Sequence, residues 1–317
     1  MSLETALSLR VEHELFIRSF FEVRPPDRMV QQLSASLRDY YAPAGTVLYE
    51  RGQPSERLYF VISGEVQLEA PDSEPWVLKD LSLLGALDAG QGRPYSRTAR
   101  AVSDVAALTM AFREYVDLME DHFDFTKSSM ESNARNLHDR CLELAPDGVF
   151  APATPSDATP PNPEPLELLA KLRVLRQSDL CQRAPVQALV SLAIHGEGEL
   201  WEPGQVLLER GAPNPYLRLV AHGRLEATRD QPVVQAAFGP GSLLLGCSAL
   251  GYAEAQYRVV AATPSLTVRV LKEDFYDVME DHFPLAGSAF SYFGRENERT
   301  RTLLAEQARG RARFNPG

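Results

Sequence analysis

The sequence has few cysteines and no long apolar run. Its three cysteines, Cys141, Cys181 and Cys247, are odd in number, widely spaced, and follow no metal-ligand pattern. This usage argues against a disulfide framework and against a zinc site, and it fits the reducing cytoplasm. The opening stretch "MSLETALSLRVEHELFIRSFF" mixes charges among its apolar residues. It therefore predicts an amphipathic helix, and neither a signal peptide nor a membrane span.

Basic residues are also in deficit. The chain has 32 lysines and arginines against 43 aspartates and glutamates, so its formal net charge is -11. A main surface that neutralises nucleic-acid phosphates or anionic lipid needs the opposite sign. Only local basic patches remain, of which the C-terminal run "RENERTRTLLAEQARGRARF" is the clearest. Its interleaved glutamates favour a solvated helix end over a nucleic-acid contact.

The sequence also lacks the common motifs of catalytic sites. The chain has no GxSxG, HExxH or P-loop pattern, so we expect neither an enzyme nor a cofactor or metal. The pentapeptide "MEDHF" occurs twice, and its Asp121 and His122 invite a reading as acid-base or metal chemistry. Adjacent helical residues do not share a face. We interpret the motif as a helix end anchored by its aromatic residue, Phe123 or Phe283.

The most informative feature present is an internal repeat. The stretch "APAGTVLYERGQPSERLYFVISGEVQLEA" (42–70) aligns with "WEPGQVLLERGAPNPYLRLVAHGRLEA" (201–227). Downstream, "EYVDLMEDHF" (114–123) aligns with "DFYDVMEDHF" (274–283) at almost the same offset. The chain is therefore interpreted as a duplication.

Each copy predicts the same series of elements. Short apolar runs such as "TVLYE" and "RLYFVISG", separated by Gly and Pro, predict short strands joined by tight turns. Segments with helical spacing, such as "PPDRMVQQLSASLRDYY", lie before and after the strands. Between the copies, residues 145–165 contain seven prolines and predict an extended linker. We expect domains at 1–144 and 166–317, the second with a basic tail.

This arrangement resembles the cyclic nucleotide-binding domain of kinase regulatory subunits, gated channels and catabolite-activator-type regulators. Both copies carry the Glu-Arg-Gly signature and the strand ends "FVISG" and "RLVAHG". The resemblance covers about residues 16–142 and 172–306. It implies an α+β, mainly β fold with two jelly-roll-like β-rolls (double-stranded β-helices), each flanked by helices.

In that family the ligand lies in a phosphate-binding cassette with the pattern Phe-Gly-Glu, then Pro-Arg-Ala-Ala. The glutamate binds the ribose hydroxyl, and the arginine with backbone N–H groups binds the phosphate. In the first copy, Ala86 stands at the glutamate position after Gly85, and Tyr95 stands at the arginine position. In the second copy, the alignment of Leu245-Gly246 puts Cys247 at the glutamate position. Glu254 or Ala255 falls at the arginine position.

The candidate ligand-binding residues are therefore those of two degenerate cassettes. They are Gly85, Ala86, Leu87, Arg93, Tyr95, Ser96 and Arg97 in the first, and Gly246, Cys247 and Ser248 in the second. Arg93 and Arg97 flank Tyr95 at a spacing of two, so on a strand either side chain would point as the missing arginine does. The other interpretation is that both are solvated charges.

These features predict a non-enzymatic cytoplasmic regulatory or scaffold protein, without a membrane span, that binds a protein partner or a second copy of itself. It does not bind cAMP or cGMP in the usual way. The alternative is a sensor that binds a cyclic mono- or dinucleotide through Arg93, Arg97 and the backbone around Gly85. The family's transcription factors add a helix-turn-helix after the sensor. Too little chain follows Phe283 for such a module, so we expect no DNA-binding module.

Overall fold

A computed structural model describes residues 3–71, 73–142, 166–230 and 233–314 of the chain. The side chains of 3–11, 73–74, 233–234, 301 and 304–314 lie outside this description. The chain divides into two compact units, Met1–Ser129 and Met130–Gly317. The linker expected at 145–165 lies outside the described residues, and the expected domain limits stay a prediction.

The first unit contains four helices and eight strands among its described residues, and it includes the start of a fifth helix. The elements are α1 Leu3–Phe20, α2 Asp27–Ser36, β1 Arg38–Ala42, β2 Val47–Tyr49, β3 Arg57–Ser63, β4 Val66–Ala70, β5 Ser73–Leu78, β6 Leu83–Leu84, α3 Ala86–Gly90, β7 Thr98–Ala101, β8 Val105–Ala111, α4 Phe112–Asp121 and α5 Phe123–Leu142. The helix predicted for the opening stretch is α1, and the side chains of its first half lie outside the described residues. The unit boundary falls within α5.

Two four-stranded antiparallel sheets form the first roll, in the orders β1-β8-β3-β6 and β2-β7-β4-β5. Side chains alternate across β3 because successive residues of a strand point to opposite faces. Tyr59 and Val61 belong to the core inside the roll. On the other face, Phe60 is 1% exposed and its ring centroid lies 5.1 Å from that of Phe20 in α1. The roll therefore encloses one hydrophobic core. A second core lies on the outer face of β3, where the helices cover it.

The second unit repeats this plan. Its elements after α5 are α6 Leu168–Gln177, α7 Val186–His195, β9 Glu197–Trp201, β10 Val206–Leu208, β11 Tyr216–His222, β12 Leu225–Asp230, β13 Val233–Phe238, α8 Gly246–Gly251, β14 Arg258–Ala261, β15 Ser265–Leu271, α9 Lys272–Asp281 and α10 Pro284–Phe314. Its sheets have the orders β11-β15-β9 and β10-β14-β12-β13. An isolated bridge between Leu219 and Leu243 replaces the pairing of β3 with β6. The predicted fold class, two β-rolls flanked by helices, is confirmed.

The two "MEDHF" motifs lie where one helix ends and the next begins. His122 follows the last residue of α4 and has a non-helical backbone (φ -123°, ψ 55°), as does His282 after α9 (φ -133°, ψ 67°). The phenylalanines that follow are only 8% and 7% exposed, as expected of anchors. His122 Nε2 lies 2.6 Å from Gln32 Oε1.

No described helix combines the length and apolarity needed to cross a membrane. The basic tail belongs to α10, and of its arginines only Arg295 and Arg299 have described side chains.

Candidate functional site

The first cassette, residues 85–97, begins with a left-handed glycine. Gly85 precedes α3 with φ +87°, and a Cβ on it would lie 2.5 Å from the carbonyl oxygen of Arg57. Glycine alone fits this position without strain, because the close approach leaves no room for a side chain. Ala86 is the first residue of α3. The methyl group of Ala86 offers no acceptor for a ribose hydroxyl.

Tyr95 lies inside the first roll rather than at its surface. The residue is 4% exposed, and its ring stacks on Tyr49 with centroids 3.8 Å apart. Its hydroxyl donates to the carbonyl of Arg57 at 2.8 Å. The backbone is held as well, since Tyr95 N donates to Gln53 O and Tyr95 O accepts from Gly52 N. The arginine position is therefore occupied by a neutral ring that is packed and hydrogen-bonded.

Four tyrosines fill this part of the roll interior. The ring centroid of Tyr59 lies 5.2 Å from that of Tyr40 and 5.8 Å from that of Tyr49. The Tyr59 hydroxyl donates to the carbonyl of Leu48 at 3.2 Å, and burial raises the pKa of Tyr59 to about 12. Burial also raises the pKa of Tyr49. The hydroxyls of Tyr49 and Tyr59 therefore stay neutral at physiological pH, and tyrosine side chains supply no positive charge for a phosphate.

Arg93 is bound to a carboxylate of its own cassette. Its Nε donates to Asp88 Oδ1 at 2.7 Å. Asp88 is 7% exposed, and its Oδ2 accepts from both the backbone N–H and the hydroxyl of Ser96 at 3.0 Å. The candidate residues Arg93 and Ser96 are thus brought together by Asp88, a residue that the sequence analysis did not single out.

Arg97 contacts an aromatic ring. Its guanidinium carbon lies 3.8 Å from the ring centroid of Trp76, within cation–π distance. The expectation that Arg93, Tyr95 and Arg97 share a strand face is wrong, because the strand begins only at Thr98. In the preceding turn these three side chains meet three different partners.

The backbone of the second cassette, residues 245–257, corrects the alignment of the two copies by one residue. Ala249 N donates to Leu245 O, as Ala89 N donates to Gly85 O. Leu245, with φ +53°, therefore occupies the place of Gly85 in the first copy. Gly246, and not Cys247, is the counterpart of Ala86. The predicted assignment of Cys247 to the glutamate position is wrong.

The other end of the second cassette decides between Glu254 and Ala255. Gly211 N donates to Ala255 O, as Gly52 N donates to Tyr95 O. Ala255 is therefore the counterpart of Tyr95. By the count made from the sequence, neither cassette has the glutamate or the arginine of the family pattern, and this assignment stays a prediction.

A small cavity of about 70 Å³ borders the second cassette. Its lining includes Cys141, Gly246, Cys247, Tyr292 and Glu296. A Cβ on Gly246 would collide with the Tyr292 hydroxyl, so α10 packs directly on the start of α8. Ligand pockets for drug-sized molecules span roughly 300–1,000 Å³. This cavity is too small for a nucleotide.

The last turns of α5 lie against the second cassette. His138 Nε2 is 3.1 Å from the hydroxyl of Tyr257, and Arg135 Nε donates to the carbonyl of Gly251 at 3.1 Å. Burial lowers the pKa of His138, although the adjacent Asp139 carboxylate opposes the shift. Tyr257 is fully buried and occupies the place of Arg97 in the first copy. The contact between His138 and Tyr257 was not predicted from the sequence.

The second roll has a largely buried ion pair at the two positions where the first roll has tyrosines. Arg218 Nε donates to Glu199 Oε2 at 3.0 Å, and the side chains are 8% and 13% exposed. By strand register they occupy the places of Tyr59 and Tyr40. Among the described residues, no group of three or more His, Cys, Asp or Glu side chains is arranged to hold a metal ion.

One family and several solved structures are similar to this chain. The cyclic nucleotide-binding domain family matches residues 41–122, and no curated protein matches the sequence. The regulatory domain of Toxoplasma gondii PKA with cAMP is 15% identical, with a TM-score of 0.35 over 86% of this chain and 94% of that one. A regulatory subunit of a cAMP-independent protein kinase A from Trypanosoma cruzi, bound to guanosine, is 14% identical, with a TM-score of 0.33 over 88% and 86%. The sensor domain of the transcriptional regulator DNR from Pseudomonas aeruginosa is 20% identical, with a TM-score of 0.32 over 34% and 81%.

These structural likenesses are too distant to carry an argument, so the assignment rests on the family match and on the strand order. The match spans β2 to β8 with the whole first cassette. Ligand binding by the candidate residues stays a prediction. The chain carries a domain of the cyclic nucleotide-binding family at residues 41–122, and its second roll repeats the strand order of the first.

Proposed function

We propose that the chain is a non-enzymatic regulatory or scaffold protein of the cytoplasm that acts by binding a protein partner or a second copy of itself. In this proposal neither cassette binds cAMP or cGMP in the usual way. The observation that carries the proposal is Tyr95. Its ring is stacked on Tyr49 and its hydroxyl is bonded to Arg57 O, at the position where the family has its phosphate-binding arginine.

Charge supports this reading of the first cassette. A buried phosphate without its cation loses roughly 3 to 5 kcal/mol, or about a hundredfold to a few thousandfold in affinity. Arg93 does not replace the lost cation, because it donates to Asp88 at 2.7 Å. The carboxylate of Asp88 would repel a phosphate placed beside it.

Space supports the same reading of the second cassette. Ala255 contributes no charge, and Tyr292 of α10 packs against Gly246 at the start of α8. The neighbouring cavity holds about 70 Å³. A nucleotide would have to displace α10 or the end of α5 to enter.

Exposed apolar side chains on α6 and α7 support the partner-binding part of the proposal. Leu169 is 68% exposed and Ile194 is 65% exposed. Substitution of both by glutamate would remove apolar area from a partner interface while leaving the roll interiors intact. Affinity purification from native cells is expected to recover a partner with the wild type and lose it with this double variant. Leu15→Glu, at a position that is 64% exposed in α1, is the matched control.

Calorimetric titration of the full chain tests the ligand part of the proposal. With cAMP, cGMP and cyclic dinucleotides, we expect no saturable heat at micromolar concentrations. A micromolar, saturable signal that Arg97→Ala abolishes would instead establish the alternative, a sensor that works through the first cassette. A signal that survives in Arg97→Ala but is lost in Ser248→Tyr would place the ligand in the second cassette and also overturn the proposal.

A further inference from the structure

The first cassette contains an internal anion with its own set of donors. One oxygen of the Asp88 carboxylate accepts from Arg93 Nε at 2.7 Å. The other accepts from the Ser96 backbone N–H and from the Ser96 hydroxyl, both at 3.0 Å. A guanidinium, a backbone amide and a hydroxyl are the groups that proteins commonly use to bind an oxyanion.

This carboxylate is enclosed by the cassette. Asp88 is 7% exposed, and its backbone carbonyl accepts from the N–H groups of Gln91 and Arg93. Its negative charge contributes to the raised pKa values of Tyr49 and Tyr95, which agrees with a position beside the tyrosine stack. Asp88 thus ties the short helix to the turn that follows it.

The second cassette lacks the arrangement, so the fold does not require it. Ser248 stands at the place of Asp88, and its hydroxyl donates to Leu245 O at 3.2 Å. Ala253 and Gln256 stand at the places of Arg93 and Ser96, given the alignment of Ala255 with Tyr95. The difference between the two copies points to a specific role in the first.

We propose that Asp88 is a built-in anion that occupies the oxyanion donors of the first cassette and holds residues 91–97 closed without any ligand. The contact is autoinhibitory, since an external phosphate would have to displace a carboxylate already held at three hydrogen bonds. This inference rests on the proposed function and extends it. The first roll is kept in one state whatever the nucleotide concentration.

Hydrogen exchange on the full-length Asp88→Ser variant, which copies the second cassette, tests the proposal. A hydrogen bond to a charged acceptor is strong enough that its loss should speed exchange of the Ser96 amide by at least about tenfold. Asp80→Ser is the matched control, because Asp80 Oδ1 accepts from the Gly64 backbone N–H outside the cassette. We expect Asp80→Ser to leave the amide exchange rates of residues 91–97 unchanged.

Inorganic phosphate is the probe of the emptied donors. Millimolar phosphate should slow exchange of residues 91–97 in Asp88→Ser, while chloride at equal ionic strength should not. The wild type should respond to neither. Unchanged exchange in a folded Asp88→Ser variant would overturn the proposal, and so would phosphate protection in the wild type.

A second variant covers the case in which Asp88→Ser fails to fold. Arg93→Gln leaves the carboxylate in place but removes its charged donor, so exchange in 91–97 should quicken and phosphate should not restore it. Restoration by phosphate would contradict the proposal. Calorimetry with cAMP on the wild type keeps the two hypotheses apart. Binding there overturns the proposed function, whereas unaltered exchange in both variants overturns only the role of Asp88.

Discussion

The ring of Tyr95 stacks on the ring of Tyr49, with centroids 3.8 Å apart and planes inclined by 16°. The pair joins β2 to the end of the first cassette, at the position that the sequence-based count gives to the family's phosphate arginine. The stack therefore serves the stability of the roll, and variants at this pair should report on folding before they report on any ligand.

Removal of the Tyr95 ring is expected to destabilise the first unit strongly. Tyr95→Ala should lower the free energy of unfolding by about 3 to 5 kcal/mol, as aromatic-to-alanine changes in cores do. Tyr95→Phe should cost about 1 kcal/mol, because the carbonyl of Arg57 loses its donor. Urea denaturation followed by circular dichroism measures both. Tyr41→Phe, at an exposed position, should change little; an equal loss there would refute the special role of Tyr95.

The ion pair inside the second roll should be replaceable by the tyrosines of the first. Arg218→Met leaves the largely buried Glu199 with Arg269 as its ion-pair partner among the described residues, so the free energy of unfolding should fall by about 3 kcal/mol. The double variant Glu199→Tyr with Arg218→Tyr copies the pair Tyr40 and Tyr59. It should recover most of the free energy of unfolding that Arg218→Met loses. Denaturant unfolding of the two variants checks this. A double variant no more stable than Arg218→Met would contradict the equivalence of the two sites.

The buried His138 should make the second unit sensitive to acid. Burial lowers its pKa, so the unfolded chain takes up the proton more readily than the folded one. Stability is therefore fully present above the ordinary histidine pKa of about 6.5 and falls as the pH drops below it, until the folded pKa is reached. Unfolding measured between neutral and mildly acidic pH should show this slope in the wild type and lose it in His138→Asn. His195→Asn, at an exposed position, should keep the slope.

Two of the three thiols, Cys247 and Cys181, should react in a fixed order. Burial raises the pKa of Cys181 to about 11, and the residue is 1% exposed, so its thiolate is scarce and shielded. Burial also raises the pKa of Cys247 well above its usual range, so the amount of thiolate does not favour Cys247. The expected order rests on access, because Cys247 is partly accessible and lines the cavity whereas Cys181 is buried. Mass spectrometry after timed alkylation at mild alkaline pH should find Cys247 modified before Cys181, and both modified rapidly in urea. Faster modification of Cys181 in the native protein would show that the loop after α6 opens.

Part of the candidate site was predictable, because the backbone spacing of the cassette is regular. In the first copy the count from Gly85 starts at the right place, since this left-handed glycine directly precedes Ala86, the first residue of α3. In the second copy the same count began one residue late. Leu245 adopts the backbone conformation that glycine usually takes, so the glycine in the sequence, Gly246, was matched to the wrong position.

The partners of the cassette side chains were not predictable from spacing. The period-two argument for Arg93 and Arg97 assumed a strand, whereas these residues lie in the turn before β7. Asp88 and Arg93 are five residues apart, and this local pair was the one signal that could have indicated the internal ion pair. The stacking of Arg97 on Trp76 depends on β5 and has no local signal.

The sequence by itself determined the internal repeat and the strand pattern of both rolls, because these depend on residue identity and on short-range periodicity. Only the tertiary structure decided which groups the side chains of the two cassettes contact. The Tyr95 hydroxyl bonds to Arg57, 38 residues earlier in the chain, and His138 reaches Tyr257, 119 residues later. Such contacts form only when distant strands and helices pack together, so no local pattern in the chain records them.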